Sequence, residues 1–172
     1  MAAAWPGLGA KGWQGKMIEQ EVPGFGAVRV AHVVADMNGT LAVRGNLVPG
    51  VAERLRRLAE RVAVHVVTAD TYGAARRLFQ ELPVTLTILH QCGEAAAKEE
   101  YVRGLGADVV AALGNGRNDA PMLAAARVGI AVLEGEGCAT AALQAADVLT
   151  RSILDALDLL LDPLRLKATL RS

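Results

Sequence analysis

Short apolar runs alternate with helical segments along most of this chain, and that alternation is its strongest constraint on fold. The runs fall at 28–36, 63–67, 84–89, 108–113, 128–133 and 147–149. Between and after them come segments 51–62, 74–82, 94–105, 120–126, 139–145 and 152–161, which read as helices. In 51–62 the apolar Val51, Leu55, Leu58, Ala59 and Val62 share one face, with Glu53, Arg54, Arg56, Arg57 and Glu60 on the other. That is the pattern of a crossover helix laid on a sheet. Strands linked by helices at this spacing form a mostly parallel sheet with helices on both faces. The expected fold is α/β, a three-layer, Rossmann-like arrangement. Ahead of it, 18–22 alternates apolar and polar residues and turns through Pro23-Gly24-Phe25-Gly26, so it is expected as a strand at an edge. Segment 41–48, with Gly45-Asn46 inside it, is expected to form a short hairpin flap.

At 172 residues the chain suits one domain with a sizeable core. That domain is expected over 17–172, with 1–16 as a disordered extension that lacks the apolar core of a signal peptide. Lys plus Arg and Asp plus Glu number 18 each, so no net field draws a nucleic acid or a membrane surface. No arginine-rich patch with interleaved aromatics occurs, and no apolar run approaches the ~20 residues that span a bilayer. Cys92 and Cys138 lack metal or redox spacing and read as ordinary thiols of a reducing compartment. A cytoplasmic protein with neither nucleic acid nor membrane as partner is the expectation.

Candidate chemistry gathers at strand ends, where ligands bind in an open parallel sheet. Asp36 closes the run at 28–36 and is followed by Met37, Asn38 and Gly39. Gly39 tolerates a positive φ and a close ligand, and the amides after Asp36 suit a backbone anion nest. Thr68 closes 63–67, and the loop Gly114-Asn115-Gly116-Arg117-Asn118-Asp119 follows 108–113. Lys98 lies on a helix aimed at the same edge. Together they suit phosphoryl transfer through an aspartyl-phosphate. That reaction needs a carboxylate nucleophile, hydroxyl and ammonium donors for the phosphoryl oxygens, and oxygen ligands for Mg²⁺.

With Asp36-Met37-Asn38-Gly39-Thr40-Leu41, Thr68 after Val66-Val67, Lys98, and Gly114 to Leu123 in this order, the chain resembles the haloacid dehalogenase (HAD) superfamily. It is most similar to small soluble proteins likened to P-type ATPases, from about Met17 onward. The resemblance implies Asp36 as nucleophile and the Asn38 carbonyl as a Mg²⁺ ligand. It implies Thr68, with Ala69 beside it, and Lys98 as phosphoryl contacts. Asn115 and Asp119 would hold the metal, and Asn118 would help orient the loop and meet phosphate. Two departures stand out. Family phosphatases carry an acid two residues after the nucleophile, where this chain has Asn38, which transfers no proton. Such an acid is worth ~10²–10⁴-fold, so turnover is expected to be slow. The first carboxylate of the family's metal loop is here Asn115, so Mg²⁺ should bind more weakly.

Family members choose substrates with cap domains, and neither 40–68 nor 68–98 leaves room for one. An open site then suits a phosphorylated macromolecule or small molecule, ATP included, or a homo-oligomer that supplies the roof. The expected activity is that of a Mg²⁺-dependent phosphohydrolase. The alternatives are a catalytically weakened scaffold that binds phosphate, nucleotide or a partner, and a soluble ATPase module like a detached phosphorylation domain. The apolar stretch 153–161 with 164–170 reads as a final helix covering the sheet, with an interface as the alternative. His32, His65 and His90 read as core or edge residues, Asp70 as a crevice residue or a helix cap. Gly135-Glu136-Gly137 is a weak candidate for a ligand contact.

Overall fold

A computed structural model describes residues 16–69, 73–90 and 92–172. The expected extension therefore lies, apart from Lys16, outside the described residues, as does Asp70. Strand β1 (Ile18–Val22) and strand β2 (Gly26–Val30) form an antiparallel ribbon that pairs Ile18 with Val30 and Val22 with Gly26. The run at 28–36 is thus two strands, and β1 lies in this ribbon rather than at an edge of the main sheet. The break is at Ala31, whose N–H donates to the Val109 carbonyl and whose carbonyl accepts from the Ala63 N–H, each at 2.9 Å. Upstream of Ala31 the backbone bonds β1, and from Ala31 on it bonds the central sheet. Every buried backbone group needs a partner, and one continuous strand would not satisfy both sets.

Beyond the break, β3 (His32–Ala35) enters a six-stranded, wholly parallel sheet. A small hairpin follows, β4 (Ala42–Val43) and β5 (Asn46–Leu47). Its two turn residues, Arg44 and Gly45, have φ of 51° and 75°, the left-handed pair that matches strand twist in the tightest hairpins. The chain continues through α1 (Val51–Ala59), β6 (Ala63–Thr68), α2 (Ala74–Phe79), β7 (Thr85–Ile88) and α3 (Glu94–Leu105). After a single turn of 3-10 helix at Ala107–Val109 come β8 (Val110–Gly114), a second such turn at Arg117–Asp119, α4 (Ala120–Ala125) and β9 (Val128–Val132). Helix α5 (Thr140–Ala145), β10 (Val148–Thr150), α6 (Ile153–Leu161) and α7 (Pro163–Leu170) complete the chain. The strand order is β10-β9-β8-β3-β6-β7.

All residues of β6, β8 and β9 are buried, as in a sheet covered on both faces. The two-residue period of a strand sorts them into two cores. Val33, Ala35, Val64, Val66 and Leu113 pack with residues of α1 and α6, while Val34, Val67, Val110 and Ala112 pack with α3 and α4. The C-terminal stretch takes the covering role. Ile153, Leu157 and Leu160 are fully buried, and Arg54 of α1 grips Asp158 of α6 in a forked pair at 2.8 and 3.0 Å. The Asp162 carboxylate accepts from the Leu164 N–H and Pro163 follows it, so α6 stops and α7 starts anew. No helix among the described residues is long and apolar enough to cross a membrane.

Candidate active site

Because the central strands are parallel, their carboxyl ends share one edge. At that edge β8, β3 and β6 are neighbours. Asp36 directly follows β3, Thr68 is the last residue of β6, and Asn115 directly follows β8. Asp36 therefore stands between the other two. Its backbone N–H donates to the Leu113 carbonyl at 3.0 Å, which carries the sheet register to the carboxylate itself.

Lys98 joins these groups. It sits in the second turn of α3, is fully buried, and reaches three carboxylates with one ammonium. Its Nζ lies 2.6 Å from Asp36 Oδ1, 2.8 Å from Asp119 Oδ1 and 2.8 Å from Glu94 Oε1. A solvated helix lysine could pair with Glu94 one turn away but would reach neither Asp36 nor Asp119. Asp119 is held from its other side, since its Oδ2 accepts from the backbone N–H of Asn115 at 3.0 Å and of Gly116 at 2.8 Å. The loop thus closes on its own carboxylate, and Oδ1 is left facing Lys98. Gly114 permits the closure, because a Cβ there would meet the Asp119 side chain at 2.6 Å.

Asn115 turns toward the loop after Asp36. Its Oδ1 accepts from Thr40 Oγ1 at 3.1 Å, and its Nδ2 donates to the Gly137 carbonyl at 3.0 Å. Gly39 has φ 76° and lies against this side chain, where a Cβ would meet Asn115 Nδ2 at 2.5 Å. Position 39 therefore needs glycine for its backbone and for its space. The hairpin β4–β5 leans on the same turn through Arg44 N–H and Glu136 Oε1 at 3.3 Å. Of the other expected residues, Met37 is buried beneath the loop and Asn38 is exposed on it. Thr68 is buried, and Ala69 and Asn118 are half-buried beside the edge.

Three carboxylates facing one ammonium make the site acid-rich. Burial and the neighbouring charge of Asp119 push the Asp36 carboxyl up to about 7, against the opposing pull of Lys98. For Lys98, burial disfavours the ammonium, but Asp36 and Asp119 outweigh it and hold the group charged. No buried side-chain nitrogen or oxygen among the described residues lacks a hydrogen-bond partner. No cluster of three or more His, Cys, Asp or Glu placed to hold a metal occurs among them either. Mg²⁺ does not require one, since one or two carboxylates completed by water and substrate oxygens suffice. The acid surplus at Asp36 and Asp119, with amide oxygens of Asn38 and Asn115 close by, fits such an ion.

Sequence reasoning missed Glu94 and Thr40. Glu94 had a readable signal, since it precedes Lys98 by four positions and so shares its helix face. Thr40 had none, because its bond to Asn115 spans 75 residues. The turn at Gly135-Glu136-Gly137 does meet the site, through the Gly137 carbonyl.

Residues 3–127, more than half of the chain, match the family model described as haloacid dehalogenase-like hydrolase. The chain belongs to the haloacid dehalogenase-like hydrolases. A protein of Methanocaldococcus jannaschii is 45% identical over 62 residues, covering 36% of this chain and 67% of that one. The copper-exporting P-type ATPase of Vibrio cholerae is 31% identical over 110 residues, 63% of this chain. This HAD-like chain matches only 12% of that ATPase's length. The 3-deoxy-D-manno-octulosonate 8-phosphate phosphatase of Moraxella catarrhalis, crystallised with magnesium, phosphate and the sugar acid, superposes with a TM-score of 0.64. It covers 77% of this chain and 86% of its own at 18% identity, which is a likeness of fold. The six-stranded parallel sheet described above is thus that of the HAD fold.

Proposed function

We propose that this HAD-like hydrolase is a slow, Mg²⁺-dependent phosphohydrolase that works through an aspartyl-phosphate on Asp36. The observation that carries this reading is Lys98, an ammonium buried among Asp36, Asp119 and Glu94 at the end of the central strand. A buried cation held by carboxylates from separate elements is costly as a structural device, and perturbed, buried charges cluster at functional sites.

In this reading an Asp36 carboxylate oxygen attacks the phosphorus of a phosphomonoester or phosphoanhydride. The bond from phosphorus to the leaving oxygen breaks, and that oxygen departs with its electron pair. Lys98 holds the transferring group's negative charge, and the Thr68 hydroxyl and the amides of Met37, Asn38 and Ala69 orient its oxygens. The expected Gly39 N–H contact does not arise, because that N–H donates to the Ala42 carbonyl at 2.8 Å. Asp36, the Asn38 carbonyl, Asn115 and Asp119 would hold Mg²⁺, with Asn118 steadying their loop. When bound, the ion neutralises phosphoryl charge as a Lewis acid. A water then cleaves the acyl-phosphate and returns Asp36 as a carboxylate. Asn38 neither donates a proton to the leaving group nor takes one from that water, so both half-reactions are slow. The open edge admits a phosphorylated small molecule, ATP or a macromolecule, and a second copy of the chain is the simplest roof.

The test is turnover of p-nitrophenyl phosphate and of ATP with Mg²⁺ by the parent, Asp36→Asn and Asn38→Asp. Asp36→Asn should abolish activity, and Asn38→Asp should raise it by about 10-fold or more, the lower range for a positioned acid–base group being ~10². A folded set without turnover in any member would favour a second reading, a phosphate- or partner-binding scaffold. One feature supports that alternative: the Asn115 amide is committed to Thr40 and Gly137 as a neutral tether.

A further inference from the structure

One layer beneath the site, a hydrogen-bonded chain of side chains crosses the same elements that carry the site residues. His32 Nδ1 lies 3.1 Å from His65 Nε2, and His65 Nδ1 lies 2.9 Å from the Tyr101 hydroxyl. Thr87 Oγ1 reaches that hydroxyl at 3.4 Å. His32 is on β3, His65 on β6, Thr87 on β7 and Tyr101 on α3. The placement follows the site residues. His32 precedes Asp36 by four positions on β3, His65 precedes Thr68 by three on β6, and Tyr101 follows Lys98 by three on α3. Three neighbours along a helix face share a side, so Tyr101 and Lys98 descend from α3 onto the same face of the sheet. His65 and Tyr101 are buried in the α3 side of the sheet, in a core otherwise made of small and aliphatic residues. Apolar contacts alone let a helix slide by a fraction of a turn, whereas a fully bonded polar chain has one register.

Resting on the reading of Lys98 and Asp36 given above, we propose that His32, His65 and Tyr101 form a positioning clamp. By tying α3 to β6 and β3, it sets where the Lys98 ammonium stands relative to Asp36 and Thr68. None of the three touches the reacting atoms, and they act through the elements they join. The clamp works with His65 neutral. A neutral ring offers one donor and one acceptor to its two partners, and a protonated ring would present hydrogens to both. Burial first, and then the neighbouring His32, hold His65 well toward the neutral form.

The experiment compares the parent with Tyr101→Phe, which removes one oxygen, and with His32→Leu and His32→Asn. The asparagine places a hydrogen-bonding atom where Nδ1 stood, and leucine does not. Ile153→Val, in the core on the opposite face, supplies a control for a general loss of thermal stability. Two readouts are taken: kcat and KM on p-nitrophenyl phosphate with Mg²⁺, and the ¹⁵N resonance of the Lys98 ammonium without Mg²⁺. The expected result for Tyr101→Phe and His32→Leu is a fall in kcat of about 10-fold with KM little changed, since small displacements of positioned groups cost up to ~10²-fold. The Lys98 resonance should shift or broaden in the same two variants and return in His32→Asn. Ile153→Val should leave both readouts near the parent. An unmoved Lys98 resonance in Tyr101→Phe and His32→Leu overturns the clamp, and so does an equal loss of kcat in Ile153→Val. A parent with no turnover would count against the hydrolase reading, and the Lys98 resonance would still decide the clamp.

Discussion

Asp36→Asn should make the metal-free protein more stable at neutral and alkaline pH even as it removes the proposed nucleophile. Asn keeps the shape of the side chain and deletes its charge. Burial beside Asp119 raises the Asp36 carboxyl from 3.8 to about 7, a span of roughly three pH units, and each unit is worth about 1.4 kcal/mol. A group whose folded value is raised contributes its full stability below the unfolded value, and that stability is lost as pH rises through the folded one. The parent thus forfeits on the order of 4 kcal/mol above pH 7, and the asparagine variant, which does not titrate there, keeps it. At pH 4.5 most of the loss has not yet occurred, and the advantage should shrink to about 1 kcal/mol. The opposing effect is the loss of a buried ion pair, which costs ~3–5 kcal/mol when a lone charge is left behind. Lys98 is not left alone, because Asp119 and Glu94 each remain at 2.8 Å. Urea unfolding at both pH values, in the presence of a chelator, measures the difference. A variant less stable than the parent at pH 8, or equally advantaged at both pH values, would refute the acid-surplus argument.

Three further outcomes test separate parts of the site. His65 is held down to about 4 by burial and by His32. Stability present above pH 6.5 should therefore fall by roughly 2–3 kcal/mol between pH 6.5 and 4, and the pH-dependence of urea unfolding should be flatter in His65→Gln than in the parent. Asn115→Asp sets a carboxylate oxygen against the Gly137 carbonyl, now 3.0 Å from Nδ2. It should lower the melting temperature without Mg²⁺ and enlarge the rise on adding Mg²⁺, as followed by thermal unfolding in a metal titration. With no acid at Asn38, leaving groups must depart unprotonated, so aryl phosphates and phosphoanhydrides should be cleaved at least ~10²-fold faster than alkyl phosphates. Parallel kcat/KM measurements on the three classes would show it, and equal rates would point to a proton donor elsewhere in the site.

The sheet was legible because its central strands are buried on both faces and hence largely continuous in sequence, as Val64-His65-Val66-Val67 and Val128 to Val132 illustrate. The site was legible because a parallel sheet sends Asp36, Thr68 and Asn115 to one edge, a consequence of topology that needs no side-chain detail. What sequence did not carry were partner choices made across long separations. Nothing in 28–36 signals that Ala31 is where the backbone leaves β1 for β6 and β8, since Val30 and Val33 look alike to any periodicity. Thr40 reads as turn chemistry until Asn115 is folded beside it. His32 and His65 were recognisable as core or edge residues, and His90 is exposed beyond β7, but the order in which His32, His65 and Tyr101 meet across β3, β6 and α3 depends on strand register.

The two asparagines have different structural consequences, although both replace family acids. Asn38 is exposed on a turn, so restoring a carboxylate there changes proton transfer and little else. Asn115 is integrated, with its amide joining the loop after Asp36, at Thr40, to the turn at Gly137. An aspartate at 115 would need a cation to hold those two segments together, whereas the amide holds them unaided. In the amide form the loop after Asp36 keeps its shape before any ion arrives, and the negative charge is concentrated on Asp36, Asp119 and Glu94 around Lys98. On the proposed reading, Asn115→Asp should strengthen Mg²⁺ binding and loosen the loop after Asp36 in the absence of the ion, two opposite results of one substitution.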